Sequence, residues 1–475
     1  MKRDFYIGAT LVAVIAALGI GSVLLDNVKA AAVMAPRFEV DPMWPKPLPN
    51  HWLLGNVIGV SVDSNDHIWI IHRAAALERM ETYAAATPPA AECCLPAPPV
   101  LEFDEAGNLI GHWGGPGEGY DWPETNHGIT VDYKGNVWIG GNGRGAPASP
   151  GATPGAAPAG TPAPYHDNMV LKFTQQGKFL LQIGKPGQSK GSNDVDNVKG
   201  AAKMFVDPKT NELYVADGYG NHRVIVFDAE TGKYKRHWGA YGHKPDDTSL
   251  GRYNPSDPPA QQFRNPVHCA ELSNEGLLYV CDRPNDRIQV FKPDGTFVKE
   301  VFIAKNTLGD GSVWDIAFSK DPQQKYMFLA DGSNEKVYII LRESMEVLTS
   351  FGDGGRQPGE FYAVHSIAAD SKGNIFTTET YRGQRIQKFL YKGLAAVTKR
   401  TRAWFGRKPK AGRMRRPEIG SVRCGANDEI EAGGFGERTE IPVSRKKRNP
   451  AIDTGLSDQR IAEARFTALC QHLRS

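Results

Sequence analysis

Between residues 59 and 393 the chain alternates short apolar runs with polar turns. Six stretches follow one template: GVSVDSNDHIWIIHR (59–73), GITVDYKGNVWIGGN (128–142), KMFVDPKTNELYVADGY (203–219), CAELSNEGLLYVCDR (269–283), DIAFSKDPQQKYMFLADG (315–332) and SIAADSKGNIFTTET (366–380). Most read as a strand, a tight polar turn such as KGN or NEG, and a second strand. A third strand follows in VLEFDEAGN, MVLKFTQQG, RVIVFDAETG, RIQVFKPDG, KVYIILRES and RIQKFLYKG, and a fourth in several copies, as in LIGHWG, FLLQIG and YKRHWG. Four antiparallel strands repeated around an axis predict an all-β fold, a six-bladed β-propeller.

A propeller must close. The sixth copy lacks a clear fourth strand, and RFEVDPMW (37–44) has no blade of its own. Residues 37–44 are therefore expected to complete the sixth blade, which gives a propeller over 37–393. Two Pro/Ala-rich inserts, Ala84–Pro99 and Gly145–Pro164, read as irregular loops in the first two blades.

The two ends differ from this body. Lys2 and Arg3 precede an uncharged run from Ile7 to Leu25, then a small-residue cluster at Ala30-Ala31-Ala32. That is the plan of a secretory signal, and the run is also long enough to span a bilayer. Residues 1–32 are thus read as a signal peptide or an N-terminal membrane anchor. Either way the rest is exported to the periplasm or the extracellular space, with membrane attachment through residues 7–25 in the second case. Residues 394–475 lose the blade pattern. From 399 onward they hold 18 Lys+Arg against 9 Asp+Glu, with basic runs that predict disorder. Only 458–473 has helical periodicity. Such a tail could meet anionic lipid or polymer. The preferred reading is that it is not a selected sequence, because the propeller is complete without it.

Composition sharpens this division. Gly and Pro together make about 18% of the chain, above the ~12% of average usage, as a turn-rich repeat demands. The net charge of +3 gives no reason to expect a nucleic-acid partner. It splits into +9 for 399–475 and −6 for the remainder. A monomer is expected. The six cysteines fit an oxidising compartment, and with no C-x-x-C pair there is no thiolate zinc cluster. Cys93 and Cys94, in the first insert, could each pair with a distant cysteine. Cys269 and Cys281 flank the turn at Asn274-Glu275-Gly276 and should face each other across a hairpin. That leaves a cross-strand disulfide or two buried thiols open.

One register carries candidate chemistry. With the copies aligned on Asp63, Asp132, Asp207, Ser273, Ser319 and Asp370, the residue five before is Ile58, His127, Ala202, His268, Trp314 and His365. Histidine thus occupies blades two, four and six, in a chain with only 12 His. First strands line the channel of a propeller, so three imidazoles should converge on the axis about 120° apart. That is the arrangement of a three-histidine zinc site with one open position, fit to act as a Lewis acid. Polar plugging of the channel is the plainer alternative. The ends of the second strands should rim the same site. Arg73 and Arg283 stand there on opposite blades, suited to a carboxylate or oxyanion. One position further lie Tyr219 and Tyr381. A tyrosine near a metal and two arginines could have a lowered pKa and act as a base.

These residues, in the stretches GVSVD, IIHR, NHGITVD, VADGYGNHR, NPVHCAEL, CDRPNDRIQVF and AVHSIAAD, give the chain a resemblance. Over roughly residues 50–393 it resembles the peptidyl-α-hydroxyglycine α-amidating lyases, which are six-bladed NHL-type propellers. The resemblance implies catalytic zinc on His127, His268 and His365, Tyr219 as base, and Arg73 and Arg283 as site arginines. It implies cleavage of the C–N bond of an α-hydroxyglycine-type substrate, a small peptide or α-hydroxy acid, to an amide and glyoxylate. It also implies a channel calcium on the main-chain carbonyls at Val60 and Ile129 and on an Asp. The Asp position is Ser366 here, which removes a hard ligand, and Asp315 one blade earlier is the candidate substitute. Many NHL propellers have no enzymatic function. The competing expectation is therefore a non-catalytic NHL propeller that holds a protein or glycan partner outside the cytoplasm.

Overall fold

The second strand of each repeat is buried along nearly its whole length, whereas the fourth strands alternate toward solvent. This gradient from channel to rim is what a radial stack of sheets requires, because only the outermost strand meets water on its free edge. In a computed structural model, which describes residues 33–144 and 166–397, the chain forms six four-stranded antiparallel sheets. Blades one to five run outward in chain order from first strands at Asn56–Val62, Asn126–Val131, Ala201–Val206, Val267–Leu272 and Asp315–Phe318. Six apolar clusters lie one between each pair of neighbouring blades, so each sheet packs on the next and the core is a ring.

The turn residues on which the repeats align have a physical job. Asp63, Asp132 and Asp370 each accept two backbone N–H bonds from the following hairpin turn, and Asp207 accepts one. Ser273 and Ser319 do the same through their hydroxyls. Self-bonding Asx and Ser turns of this sort fix a tight hairpin without help from the rest of the fold.

The sixth blade is built from both ends of the propeller. Val364–Ala369, Ile375–Glu379 and Arg385–Ala396 are its inner strands, and Met34–Asp41 is the outermost, antiparallel to Arg385–Ala396 with Phe38 opposite Tyr391 and Asp41 opposite Lys388. The closing strand thus begins three residues before the expected 37 and ends at 41. Its partner continues to Ala396, because Met34–Pro36 supply pairing for Leu394–Ala396.

The first insert departs from an irregular loop. Arg79–Ala85 forms a 3-10 turn, and Leu95–Pro96 pairs in parallel with Trp52–Leu53. Cys93 and Cys94 are joined to each other rather than to distant cysteines. Cys269 and Cys281 sit opposite on paired strands and form a disulfide. Residues 1–32, the insert Gly145–Pro164 and residues 398–475 lie outside the described residues. No helix among the described residues is long and apolar enough to cross a membrane.

Candidate metal centre

The register that carries the histidines coincides with a break in strand pairing. Pairing of first with second strand shifts between Val57 and Gly59, Asn126 and Ile129, Ala201 and Lys203, Val267 and Cys269, and Val364 and Ser366. The skipped residues are Ile58, His127 with Gly128, Ala202, His268 and His365. A bulge frees a side chain from strict alternation and re-aims it, which is why bulges gather beside functional sites. Here it turns three imidazoles from alternate blades onto one point. One nitrogen of each ring lies within 4.8 Å of the others, and all three residues are buried.

Backbone carbonyls of the intervening blades hold the rings. His127 Nδ1 lies 2.7 Å from Ala202 O, His268 Nδ1 2.5 Å from Trp314 O, and His365 Nδ1 2.6 Å from Ile58 O. Blades two, four and six give imidazoles, and blades three, five and one give the carbonyls at the same register. A carbonyl only accepts, so each Nδ1 carries the proton and each Nε2 is left as a lone pair. The approach is close. A Cβ added at Gly128 would stand 2.3 Å from Ala202 O, so only glycine lets blade two come near enough.

Electrostatics keep the rings neutral. Burial, with His365 and Arg73 adding to it, holds His127 well below the ordinary imidazole range. Burial and His365 do the same to His268, and burial with Arg283 lowers His365 to about 3. Three neutral imidazoles with converging lone pairs repel one another unless a cation or donor lies between them. Tyr219 Oη is 2.8 Å from His127 Nε2 and 3.1 Å from His268 Nε2, and its single proton can serve one of them at a time. The donor set, three fixed Nε2 atoms around one point with a polar group on the open side, fits zinc.

The two arginines are placed unequally. Arg73 Nε donates to Asn126 O at 2.9 Å and Nη2 to Asn142 Oδ1 at 2.8 Å, which ties it to blade two. Arg283 is buried, with its guanidinium 4.3 Å from the centre of the Trp314 ring, Nη1 3.5 Å from Tyr219 Oη and Nη2 3.4 Å from Asp310. Its Nε is buried with no hydrogen-bond partner among the described residues. Burial pushes the Tyr219 phenol up, against the pull of Arg283 and Arg73. The protein's own groups therefore do not produce the lowered phenol pKa expected from the sequence, because desolvation outweighs two guanidiniums. Tyr381 is half exposed and stays in electrostatic reach of both Arg73 and Tyr219. Beside Arg283 a cleft of about 660 Å³ opens between loops of blades three to five, with Arg252, Tyr253, Arg264 and Asp310 in its walls.

The calcium reading fares differently. Asp315 is not free for a cation, since its carboxylate already pairs with Lys203 at 2.8 Å and accepts from Ser366 Oγ at 2.8 Å. Val60 and Ile129 line the channel near Lys203, in two adjoining cavities. Another cluster, Asp63, His67 and Glu102, lies at a blade-one hairpin. Asp63 there is committed to the N–H groups of Asn65 and His67 and to Trp69 Nε1.

With this geometry in view, the relatives are informative. No family model matches the chain. It is 26% identical over 259 residues to peptidyl-glycine alpha-amidating monooxygenase of Mus musculus, covering 54% of this chain and 22% of the mouse protein. It is 24% identical over 299 residues to peptidyl-alpha-hydroxyglycine alpha-amidating lyase 1 of Drosophila melanogaster, covering 58% and 47%. NHL repeat-containing protein 3 of Mus musculus matches at 24% over 370 residues, covering 75% and 84%. Amidating lyases and NHL repeat-containing proteins are both among its homologues. The chain spans about a quarter or less of the amidating monooxygenases it matches. Among solved structures, a streptogramin B lyase aligns with a TM-score of 0.42 at 10% identity, over 75% of this chain and 98% of that one.

Sequence reasoning passed over four residues here. Gly128 and Asn126 flank His127, Trp314 carries both the His268 anchor and the Arg283 stack, and Lys203 forms the floor. For Gly128 and Trp314 the signal was available, as the only glycine directly after a register histidine and as the one tryptophan at the register.

Proposed function

We propose that the chain is an exported zinc-dependent lyase that cleaves the C–N bond of an α-hydroxyglycine-type substrate, releasing an amide and glyoxylate. The observation that carries this reading is the set of three neutral imidazoles, each with Nδ1 tied to a carbonyl and Nε2 aimed at a common point beneath Tyr219 and Arg283. A zinc ion on His127, His268 and His365 would supply Lewis-acid polarisation of a substrate oxygen.

The protein's own groups do the rest. Once Tyr219 has given up its own proton to solvent, its phenolate, stabilised by Arg283, takes the proton of a substrate hydroxyl lying among the three Nε2 atoms and hands it on to the departing amide nitrogen. The electrons of the O–H bond become the C=O of glyoxylate, the C–N pair passes to the amide nitrogen, and that nitrogen regains a proton. Arg283 and Arg73 orient the substrate carboxylate, and their rigid settings against Trp314 and blade two lower the cost of ordering it. Arg283 also stands close enough to stabilise a phenolate on Tyr219. The acyl part of the substrate lies in the cleft beside Arg283. Export is supported by the apolar run Ile7–Leu25 behind Lys2 and Arg3, and by the Cys269–Cys281 disulfide.

The deciding experiment incubates zinc-loaded protein with α-hydroxyhippurate and measures glyoxylate. Release in proportion to zinc content is expected. A zinc-replete protein that turns over none of this substrate would leave a non-catalytic propeller as the better account.

A further inference from the structure

The channel floor beneath the histidines is occupied by a side chain where the resemblance implies a calcium ion. Lys203 follows the blade-three bulge and reaches the axis. Its ammonium lies 2.8 Å from Asp315 Oδ1 and 2.8 Å from Glu271 Oε1, with side-chain exposures of 11%, 2% and 16% respectively. Asp315 Oδ2 accepts from Ser366 Oγ at 2.8 Å and from Ile367 N at 3.0 Å. Val60 N lies 3.4 Å from Ser366 Oγ. Two further bonds complete a circuit: Thr130 Oγ1 donates to Met204 O at 2.7 Å, and Val131 N to Ser61 Oγ at 3.0 Å. All six blades are thereby linked through one polar layer.

This layer does not fit calcium. A hard dication needs several oxygen ligands, anionic ones foremost. The carboxylate expected at 366 is a serine, and the Lys203 ammonium already bridges both nearby carboxylates, Asp315 and Glu271, from the place a cation would take. A dication placed beside that ammonium would be repelled by it. Burial works against the ammonium, yet Asp315 and Glu271 more than offset this and hold Lys203 in its charged form.

We propose that Lys203 is a built-in cation that ties the blades together at the channel centre, so that the propeller needs no calcium and takes metal only at the histidines. The tie is independent of the lyase reading, since it concerns folding rather than turnover. Divalent cations acting on the other layer are controlled by keeping zinc saturating throughout.

The test uses the full chain, zinc-loaded, in calcium-depleted buffer, melted with and without about 10 mM CaCl2 (roughly tenfold above the ~1 mM dissociation constant of the weakest extracellular sites). Calcium per chain is measured after desalting. The wild type is expected to melt at the same temperature in both and to retain no stoichiometric calcium. One calcium per chain, or a calcium-dependent rise of several degrees, overturns the proposal. Lys203→Met leaves two buried carboxylates uncompensated and is expected to melt about 5 °C lower or more in the calcium-free buffer. Melting at the wild-type temperature also overturns it. Should Lys203→Met fail to fold, the loss agrees with the proposal and the wild-type calcium measurement still decides.

Discussion

At the height of His127, His268 and His365 the channel presents three lone pairs, of which the Tyr219 hydroxyl proton can serve one at a time. One residue further along the same strands, Lys203 faces Asp315 across the axis and shares its charge with Glu271. The two layers are made from neighbouring positions, 202 and 203, 314 and 315, 365 and 366, and the bulges let successive residues turn toward the channel. One layer is electron-rich and incomplete. The other contains its own cation and is complete. The difference separates two uses of a polar channel: a layer with lone pairs left over can be a site, and a layer that already holds its own cation can be a tie.

The largest effect is expected from His268→Ala. Removing one of three ligands should abolish stoichiometric zinc and lower glyoxylate release well beyond the ~10–100-fold that loss of an outer partner costs. Zinc content and initial rate, measured on the same preparation, check it. A variant that keeps full zinc would show that the histidine layer is not the metal layer. Tyr219→Phe should come next, with kcat lowered by about 10²–10⁴-fold and zinc retained, because it removes a proton acceptor and leaves the ligands in place. Loss of zinc in Tyr219→Phe would instead make the phenol part of the ligand shell.

How far the contrast was legible in the chain depends on which atoms make it. The repeats, the blade order and the closing strand follow from side-chain alternation and the Asp and Ser turns, which act locally and recur six times. The alternating histidines were readable for the same reason, since a register survives in sequence when the repeat is regular. The anchors of those histidines were not, because Ala202, Trp314 and Ile58 contribute backbone carbonyls and any residue type has one. Lys203 was hidden by period-2 reasoning, which sends the residue after a channel-facing position to the opposite face. Only the bulge brings Lys203 back to the axis, and nothing in KMFVD marks a bulge. Distant pairing for Cys93 and Cys94 was left open by the sequence, and nothing in two adjacent cysteines marks a bond between them.

Gly128→Ala tests the anchor that sequence could not reveal. The added methyl would collide with Ala202 O, which must withdraw from His127 Nδ1. Zinc affinity is expected to fall about 10–100-fold, the usual cost of losing a partner that orients a metal-ligating histidine. Competition with a chromophoric chelator measures it, and unaltered affinity would mean that the Ala202 carbonyl does not orient His127.

The smallest effect separates the Lys203 layer from buried carboxylates that have no such cation. Burial raises Asp286 to about 7, Asp331 to about 6 and Glu335 to about 7, in a cluster between blades four and six. Between pH ~4, where an unfolded carboxyl titrates, and pH ~6, the folded chain holds more protons on Asp331 than the unfolded chain does. The stability this group contributes is therefore present at low pH and lost as pH rises through about 6. The neutral histidines act in the opposite sense below pH ~6.5, since unfolding lets them take up protons. The comparison must then be a difference: wild type minus Asp331→Asn, melted from pH 4.5 to 7.5. Wild type should lose a few degrees relative to the variant across that range, by about 2–4 °C per kcal/mol of linkage. Asp315→Asn should behave otherwise. Its carboxylate is held by an ammonium rather than left alone, so the variant should be less stable than wild type throughout this range. If the two aspartates gave the same pH profile, the ammonium would be contributing no specific compensation, and the distinction between the layers would fail.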